Sequence, residues 1–300
     1  MTVYGLLAVA VAFLLEWRFA EPPTELHPVV WFGSAVGAAG REWSAPRETG
    51  VLIALGLPVI AAVLVGIAVQ IALMIHPLVA SILAGVVLFT TTSMRMLLET
   101  ASEVTELTET NIGAARQEVR ALAGRDASAL SPEQIRSAVA ESLSENLADG
   151  LVASLLAFAV CAPVSLPLAA AAAAWVKAVN TLDSMLGYRS KPVGWASARL
   201  DDAVMWIPAR LSAVLIALAG VATDALSDAR SWAREPPSPN SGWPMATLAA
   251  VLDTRFEKQG VYVLNPSASL PTAADVGSGV RVVRRASLLA YVGAGVVSWF

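Results

Sequence analysis

Residues 51–75 form a run of 25 positions without Asp, Glu, Lys or Arg, and this run limits the fold more than any other feature of the sequence. About 20 mostly apolar residues are enough for a helix to cross the hydrocarbon core of a bilayer. A backbone segment inside that core must satisfy its own hydrogen bonds, and a helix does so. The run therefore predicts a transmembrane helix, and with it a membrane protein.

Similar apolar runs recur along the chain, in which 56% of the 300 residues are apolar and only 15% are charged. This composition differs strongly from that of soluble proteins. We predict an all-α fold class, a polytopic membrane helical bundle formed by residues 1–300 as a single domain, with polar helical segments on the cytosolic face. The apolar helices are expected at about residues 2–20, 51–75, 78–98, 151–176, 203–223 and 286–300.

The run at residues 151–176 contains Pro163 and Pro167, which divide it into two short pieces. Pieces of about a dozen residues span the hydrocarbon poorly, so a helical hairpin and a single crossing both remain open. If the run is a hairpin, the polar segments 95–150 and 177–202 lie on the same side. The positive-inside rule then favours the cytosol for both segments and for the active site of a multi-pass protein of the cell membrane. The basic residues concerned are Arg95, Arg116, Arg120, Arg125, Arg136, Lys177, Arg189, Lys191 and Arg199.

An acidic segment, residues 141–150, comes directly before that run. In a helix, steps of four residues place Glu141, Glu145 and Asp149 on one stripe, because each step advances only about 40° around the axis. Carboxylates at this spacing repel one another unless a cation offsets their charge. Magnesium prefers oxygen ligands of this kind, so the stripe indicates a metal site, and a solvated helix face is the alternative.

The polar segment at residues 95–150 carries two helix signals. Glutamates recur at helical spacing over residues 99–109 with leucine and valine between them, which is typical of an amphipathic helix. Ser131 and Gln134 then form a capping-box pattern around Pro132, and proline is favoured at the first position of a helix. We expect the acidic stripe to lie on this second helix.

Two later stretches carry polar side chains next to apolar runs. In the first, Asn180 and Asp183 share a face of a predicted helix. In the second, Arg199, Asp202 and Arg210 recur at helical spacing and could form an arginine–aspartate ladder. Ionisable side chains near the membrane are costly and usually line a polar site, although a structural ion pair is the alternative. Arginine also has the forked donors that suit carboxylates and phosphates.

Several classes of protein are excluded or disfavoured. The net charge of −4 and the lack of a basic stripe argue against a nucleic-acid partner. Cys161 is the only cysteine, which excludes an intramolecular disulfide and a cysteine-cluster zinc site. The sequence contains no phosphate-binding loop and no dinucleotide fingerprint. His27 lies in a proline-rich loop and is open as a proton carrier, a phosphate contact or a simple loop residue.

Four segments, together with His27-Pro28-Val29, resemble the CobD/CbiB family of cobalamin biosynthesis. They are residues 141–150 (ESLSENLADG), 180–188 (NTLDSMLGY), 194–210 (GWASARLDDAVMWIPAR) and 238–244 (SPNSGWP). The resemblance extends over nearly the whole chain and implies an integral membrane adenosylcobinamide-phosphate synthase. Such a ligase joins the carboxylate of a corrinoid, adenosylcobyric acid, to the amine of aminopropanol or its phosphate, and it uses ATP and Mg²⁺.

The resemblance, taken with the chemistry of the residues, implies a set of roles. Catalytic roles, in completing a metal shell, accepting the amine proton or binding phosphate, are expected for Asp183, Asp201, Asp202, Arg199 and Arg210. Substrate-binding roles are expected for His27, Asn146, Asn180 and Asn240. The expected metal ligands are Glu141, Glu145 and Asp149. The expected partners are the two substrates, the lipid bilayer and other membrane enzymes of the corrinoid pathway.

Two other functions are compatible with the same motifs. One is a membrane sensor or regulatory relative without ligase activity, and the other is a corrinoid transporter. The number of carboxylates favours the enzyme, because a sensor has less need of them. The identity and phosphorylation state of the amine stay open.

Overall fold

A computed structural model describes residues 2–122, 126–188 and 190–300, and most of that part of the chain is helical. Arg125 and Arg189, two of the basic residues behind the topology prediction, lie outside the described residues. In chain order the α-helices are α1 (Thr2–Phe19), α2 (Pro28–Ala39), α3 (Pro46–Ile75), α4 (Pro77–Thr91), α5 (Arg95–Thr110), α6 (Ile112–Leu122), α7 (Pro132–Leu147), α8 (Ala153–Cys161), α9 (Leu166–Leu186), α10 (Trp195–Val204), α11 (Trp206–Ala219), α12 (Ala225–Trp232), α13 (Gly242–Leu252) and α14 (Ala273–Trp299). A π-helical turn, Ala148–Val152, joins α7 to α8.

The chain divides into two compact units. The first unit contains residues 1–93, 149–205 and 291–300, and the second contains residues 94–148 and 206–290. Helices α1 to α4 and α8 to α10 thus belong to the first unit, and α5 to α7 and α11 to α13 belong to the second. Helix α14 begins in the second unit and ends in the first.

Three helical stretches among the described residues are long and apolar enough to cross a membrane: Pro46–Ile75, Pro77–Thr110 and Pro132–Cys161. The bent pair Pro192–Val204 and Trp206–Ala219, whose axes differ by 47°, adds a fourth if it is counted as one broken span. The helices predicted from the runs at 51–75 and 78–98 are therefore present. The apolar helices expected at 2–20 and 286–300 are formed as α1 and the last part of α14, but neither is among the three candidate spans.

Helix α3 shows why the chain fits a bilayer. Only 11% of its most apolar stretch is buried within the protein. Leu52 and Leu64, for example, are 73% and 63% exposed. Monomeric soluble proteins rarely expose a continuous apolar surface of this kind, whereas lipid covers it without a penalty. The exposed side of α3 is therefore compatible with a lipid-facing surface.

The run at residues 151–176 is broken between α8 and α9. The chain turns after Cys161, whose carbonyl oxygen accepts the backbone N–H groups of Val164 (3.0 Å) and Ser165 (3.1 Å). Ser165 then caps α9, since its Oγ accepts the N–H of Leu168 at 3.3 Å. Helices α8 and α9 pack against each other. Of the two alternatives that the sequence left open, the structure forms the helical hairpin.

The second unit contains a short β-hairpin that the sequence analysis did not predict. Strands β1 (Phe256–Lys258) and β2 (Tyr262–Leu264) are antiparallel, and Gly260 supplies the positive φ of +71° that the turn requires. Phe256 pairs with Leu264, and both side chains are fully buried. Strand β1 packs against α7. The hairpin therefore lies beside the helix that carries Glu141 and Glu145.

Candidate functional site

Helix α7 begins as the sequence predicts. Ser131 Oγ accepts the N–H of Gln134 at 3.3 Å, and Gln134 Oε1 accepts the N–H of Ser131 at 3.0 Å, so both bonds of the capping box are present. The helix then continues to Leu147. Its helical spacing places Glu141 and Glu145 on one face, toward the same cavity in the second unit.

Glu141 is an anchor between α7 and the hairpin. It is only 2% exposed, and both carboxylate oxygens accept hydroxyl hydrogen bonds. Ser137 Oγ donates to Oε1 at 2.8 Å, and the Tyr262 hydroxyl donates to Oε2 at 2.6 Å. The N–H of Glu257 donates to Ser137 Oγ at 2.8 Å. A buried carboxylate is costly unless it is hydrogen-bonded, and here the hairpin and α7 supply the donors.

A polar cavity of about 290 Å³ lies beside Glu141. Its wall combines one face of α7, the loop around Pro237, the start of α13 and the hairpin. The lining residues are Leu122, Ala138, Glu141, Ser142, Glu145, Pro236, Pro237, Ser238, Ser241, Met245, Lys258 and Tyr262. Two of the segments that carried the family resemblance, residues 141–150 and 238–244, therefore meet at one cavity.

Lys258 and Tyr262 were missed by the sequence analysis. They are direct cross-strand partners in the hairpin, so their side chains lie on the same face of it. The Tyr262 hydroxyl reaches Glu141, and Lys258 lies beside it in the cavity wall. The available signal was Gly260 followed directly by Val261-Tyr262-Val263-Leu264, a turn residue before a run of residues that favour a strand.

Arg210 and Asn240, two predicted site residues, bind each other. Arg210 Nη1 donates to Asn240 Oδ1 at 2.7 Å, and Nη2 donates to the carbonyl oxygen of Pro239 at 3.2 Å. The guanidinium lies over the rings of Trp206 (4.5 Å) and Trp243 (5.4 Å). Arg210 thus fixes the loop that supplies Pro237 and Ser238 to the cavity wall, and its donors are directed at protein groups.

Asn146, a predicted substrate ligand, turns back onto its own helix. Its Nδ2 donates to the carbonyl oxygen and to the Oγ of Ser142, both at 3.0 Å. The Ser142 hydroxyl in turn donates to the carbonyl oxygen of Leu122 at 2.8 Å. Asn146 therefore positions Ser142, which lines the cavity, while Asn146 is not among the lining residues.

In the first unit, Asp183 lies in the last turn of α9, one turn after Asn180. Its Oδ1 is buried and makes no hydrogen bond among the described residues. Burial, and after it the charge of Asp202, raises the pKa of Asp183 to about 6. The carboxylate covers Gly187, where an added Cβ would collide with Oδ1. Asp183 is therefore a carboxyl group poised to exchange a proton near neutral pH.

Arg199 and Asp202 of α10 form a long ion pair. Arg199 Nη1 lies 3.6 Å from Asp202 Oδ2, which forms the first step of the predicted ladder. The carbonyl oxygen of Asp201 accepts the N–H of Met205 at 2.8 Å, where α10 ends. A long ion pair with an exposed arginine contributes little stability, so Arg199 stays available for a ligand.

A second charged cluster in the first unit was also missed by the sequence analysis. Burial lowers the pKa of Lys177, and the charges of Glu21, Asp149 and Glu16 act in the opposite direction. His27 Nε2 lies 2.8 Å from Glu21 Oε2, and its Nδ1 accepts a backbone N–H, which assigns the ring proton to Nε2. Two predicted site residues, His27 and Asp149, thus belong to a cluster centred on a lysine.

The predicted magnesium ligands do not form a metal centre by themselves. Within residues 2–122, 126–188 and 190–300, no group of three or more His, Cys, Asp and Glu side chains is placed to hold a metal ion. Glu141 directs both oxygens to hydroxyl donors, and Asp149 belongs to the cluster around Lys177. Glu141 and Asp149 thus have other polar or charged neighbours, and the magnesium site at Glu141, Glu145 and Asp149 stays a prediction.

Comparison with known proteins gives a consistent result. The profile of the family described as CobD/Cbib protein matches residues 9–287. A relative from Methanothrix thermoacetophila, named probable cobalamin biosynthesis protein CobD, is 37% identical over 303 residues, which cover 96% of this chain and 95% of the relative. Cobalamin biosynthesis protein CobD of Rhodobacter capsulatus is 34% identical over 302 residues, with coverage of 93% and 92%. No solved structure matches the chain.

Proposed function

The chain belongs to the CobD/CbiB protein family, and from this premise we propose that it is a membrane enzyme of cobalamin biosynthesis that forms an amide bond. Its proposed substrates are adenosylcobyric acid, aminopropanol or its phosphate, and ATP. The product is adenosylcobinamide or its phosphate. The names of the relatives support the pathway, while the family resemblance and the polar cavity support the reaction.

The proposed reaction has two steps. In the first, an oxygen of the corrinoid carboxylate takes the terminal phosphoryl group of ATP, and ADP leaves. In the second, the amine nitrogen forms a bond to the acyl carbon, the bond from that carbon to the phosphate oxygen breaks and phosphate leaves, and the nitrogen loses a proton. Phosphoryl transfer needs positioning and positive charge more than a protein nucleophile, which agrees with a chain that lacks a nucleophile motif.

The observation that carries the proposal is the cavity beside Glu141. Residues 141–150 and 238–244 lie far apart in the sequence, and both resemble the family. They line one polar cavity, together with Lys258 and Tyr262. A cavity with a few convergent polar groups is the usual form of a small-molecule site.

Asp183 is the proposed acceptor of the amine proton. An amine attacks a carbonyl only in its neutral form, so the ammonium of the free substrate must lose a proton. A carboxyl group with a pKa of about 6 is a better acceptor near neutral pH than an ordinary aspartate. Arg199 is the proposed phosphate ligand, since its only described partner is the long ion pair to Asp202. Arg210 acts instead as a positioning residue through Asn240.

ATP is proposed to enter as its magnesium complex, because magnesium in nucleotide sites is held largely by substrate phosphates and water. The enzyme is proposed to lie in the cell membrane with its active site on the cytosolic side, where ATP is supplied. Three candidate spans and the lipid-facing surface of α3 support the membrane location. Other membrane enzymes of the corrinoid pathway are the proposed protein partners.

The test is mass spectrometry of the corrinoid pool. The detergent-solubilised protein is incubated with adenosylcobyric acid, aminopropanol phosphate, ATP and magnesium. The expected product is heavier than adenosylcobyric acid by the amine minus water, and it forms only with ATP. Glu145→Gln should lower its yield strongly, while Glu103→Gln, the same change at an exposed position of α5, should not. Bound but unchanged corrinoid would instead favour the sensor or the transporter.

A further inference from the structure

The outward face of helix α14 carries three exposed arginines, Arg281, Arg284 and Arg285. Steps of three and four residues keep them on one side of the helix. Val282 and Val283, which lie between them in the sequence, are only 8% and 0% exposed, so the other side of the helix packs into the protein. The three guanidinium groups therefore lie on the surface of the second unit.

The same face changes from charged to apolar within one turn. Leu288 and Leu289 follow the arginines at helical spacing and are 41% and 42% exposed. Residues 286–300 contain no Asp, Glu, Lys or Arg. Exposed leucines favour hydrocarbon, whereas arginines near the end of an apolar helix favour the level of the lipid headgroups. We therefore expect the boundary between headgroups and hydrocarbon between Arg285 and Leu288.

The charge of these arginines is not used by the protein itself. Arg281 Nη2 donates to Ser278 Oγ at 2.8 Å, a neutral partner, and none of the three arginines forms an ion pair in the described part of the chain. Asp275, the only acidic residue of α14, accepts the N–H and the hydroxyl of Thr272 at 2.8 Å and 2.6 Å. Arg136 of α7, in contrast, donates to Glu133 and to a backbone carbonyl. Three neighbouring like charges repel one another unless an anion offsets them.

An anionic phospholipid matches both parts of this face. Its phosphate accepts the forked donors of arginine, and its acyl chains cover exposed leucines. A small soluble anion would satisfy the arginines alone. A nucleic acid also offers phosphates, but the net charge of −4 disfavours it, and it has no chains to cover the leucines. The lipid is therefore the partner that the charge and the apolar surface select together.

We propose that α14 binds an anionic phospholipid, with the headgroup on Arg281, Arg284 and Arg285 and the acyl chains along Leu288 and Leu289. The site is separate from the polar cavity beside Glu141 and does not depend on the proposed reaction. It also sets the depth of α14 in the membrane, because the arginines stay at the level of the headgroups.

The experiment is native mass spectrometry of the detergent-solubilised full chain with two lipids that share the same acyl chains. Dioleoyl phosphatidylglycerol carries a net negative charge, and dioleoyl phosphatidylcholine carries none. The wild type should bind the first at least about 10-fold more tightly, since each arginine near an anionic lipid surface contributes about 5-fold in affinity. Arg281→Gln/Arg284→Gln/Arg285→Gln should lose this preference. Glycerol phosphate, which lacks acyl chains, should bind the wild type at least about 10-fold more weakly than phosphatidylglycerol.

Two further variants serve as controls. Lysine at the three positions keeps the charge and should retain most of the preference, which separates lipid binding from a fault in folding. Arg120→Gln/Arg230→Gln/Arg234→Gln removes the same charge from exposed positions of the same unit and should retain the preference. Phosphatidylglycerol should raise the unfolding temperature of the wild type and of both controls, but not that of the glutamine variant of α14.

Four outcomes would overturn the proposal. Equal binding of the two lipids by the wild type would mean that the face does not recognise charge. A preference that survives in the glutamine variant of α14 would place the site elsewhere. An equal loss in the control with glutamine at 120, 230 and 234 would reduce the effect to net charge. Glycerol phosphate that binds as tightly as the lipid would make this a site for a soluble anion.

Discussion

Tyr262→Phe should destabilise the second unit, because it removes a hydroxyl from a buried carboxylate. In the wild type the Tyr262 hydroxyl donates to Glu141 Oε2 at 2.6 Å, and Ser137 donates to Oε1 at 2.8 Å. The variant keeps the ring and loses the hydroxyl, and with it the bond to Oε2 and the contact with Met245 Sδ at 3.9 Å. A hydrogen bond to a charged group contributes about 1.5–3 kcal/mol to the free energy of unfolding. For a chain of this length that corresponds to a fall of about 2–5 °C in the unfolding temperature.

The assay is thermal unfolding in detergent, followed by circular dichroism, with Tyr188→Phe as the matched control. Tyr188 is 57% exposed, so loss of its hydroxyl should change the unfolding temperature by less than about 1 °C. A double-mutant cycle isolates the contact further. Glu141→Gln alone should also destabilise the protein, and adding Tyr262→Phe to it should cost less than Tyr262→Phe costs in the wild type.

The reasoning would be refuted if Tyr262→Phe unfolded at the same temperature as Tyr188→Phe. It would also be refuted if the two changes at Glu141 and Tyr262 were simply additive. Either result would mean that the carboxylate does not depend on the hairpin for its hydrogen bonds. The bond from Tyr262 to Glu141 would then not be what holds Lys258 and Tyr262 in the cavity wall.

Further predictions concern three other parts of the chain. The coupling rate of the wild type should rise with pH through about 6, and Asp183→Asn should abolish this rise in a pH–rate profile. The pKa of Asp183 is higher in the folded protein (about 6) than in the unfolded chain (about 4), so the folded state loses stability as the pH rises between these values. Asp183→Asn removes this loss, and its unfolding temperature should therefore rise relative to that of the wild type across the interval. Arg210→Lys replaces the fork that binds Asn240 by a single ammonium and should lower kcat/KM about 10-fold without unfolding the protein; unchanged kinetics would show that the loop does not need the fork. Ser131→Ala removes the cap of α7 and should lower the free energy of unfolding by about 1 kcal/mol, whereas Ser184→Ala at an exposed position should have no measurable effect in the same denaturation assay.

Local signals in the sequence predicted the helices well. The prediction of a helix at 51–75 depends only on a continuous run of apolar residues, and α3 forms there. The capping box at Ser131 and Gln134 spans four residues, and both of its bonds are present. Interactions of this kind depend on a short stretch of chain, so a sequence pattern is sufficient to identify them.

The candidate site depends on contacts between distant residues, and the sequence predicted less of it. Helical spacing placed Arg210 in one ladder with Asp202, but α10 ends at Val204 and Arg210 lies on α11, so the spacing no longer applies. Arg210 binds Asn240, 30 residues further along the chain. Lys258 carried no motif that marked it, because its place in the cavity follows from a hairpin whose Tyr262 reaches Glu141 over 121 residues.

The hairpin connects the stability of the second unit to the wall of its polar cavity. Burial of Glu141 is costly without hydroxyl donors, and one of the two donors comes from the hairpin. Lys258 is the cross-strand partner of that donor, so the bond that stabilises Glu141 also fixes the lysine in the cavity wall. Amide exchange in residues 256–264 should therefore be faster in Tyr262→Phe than in the wild type, because the hairpin loses a bond that docks it against α7.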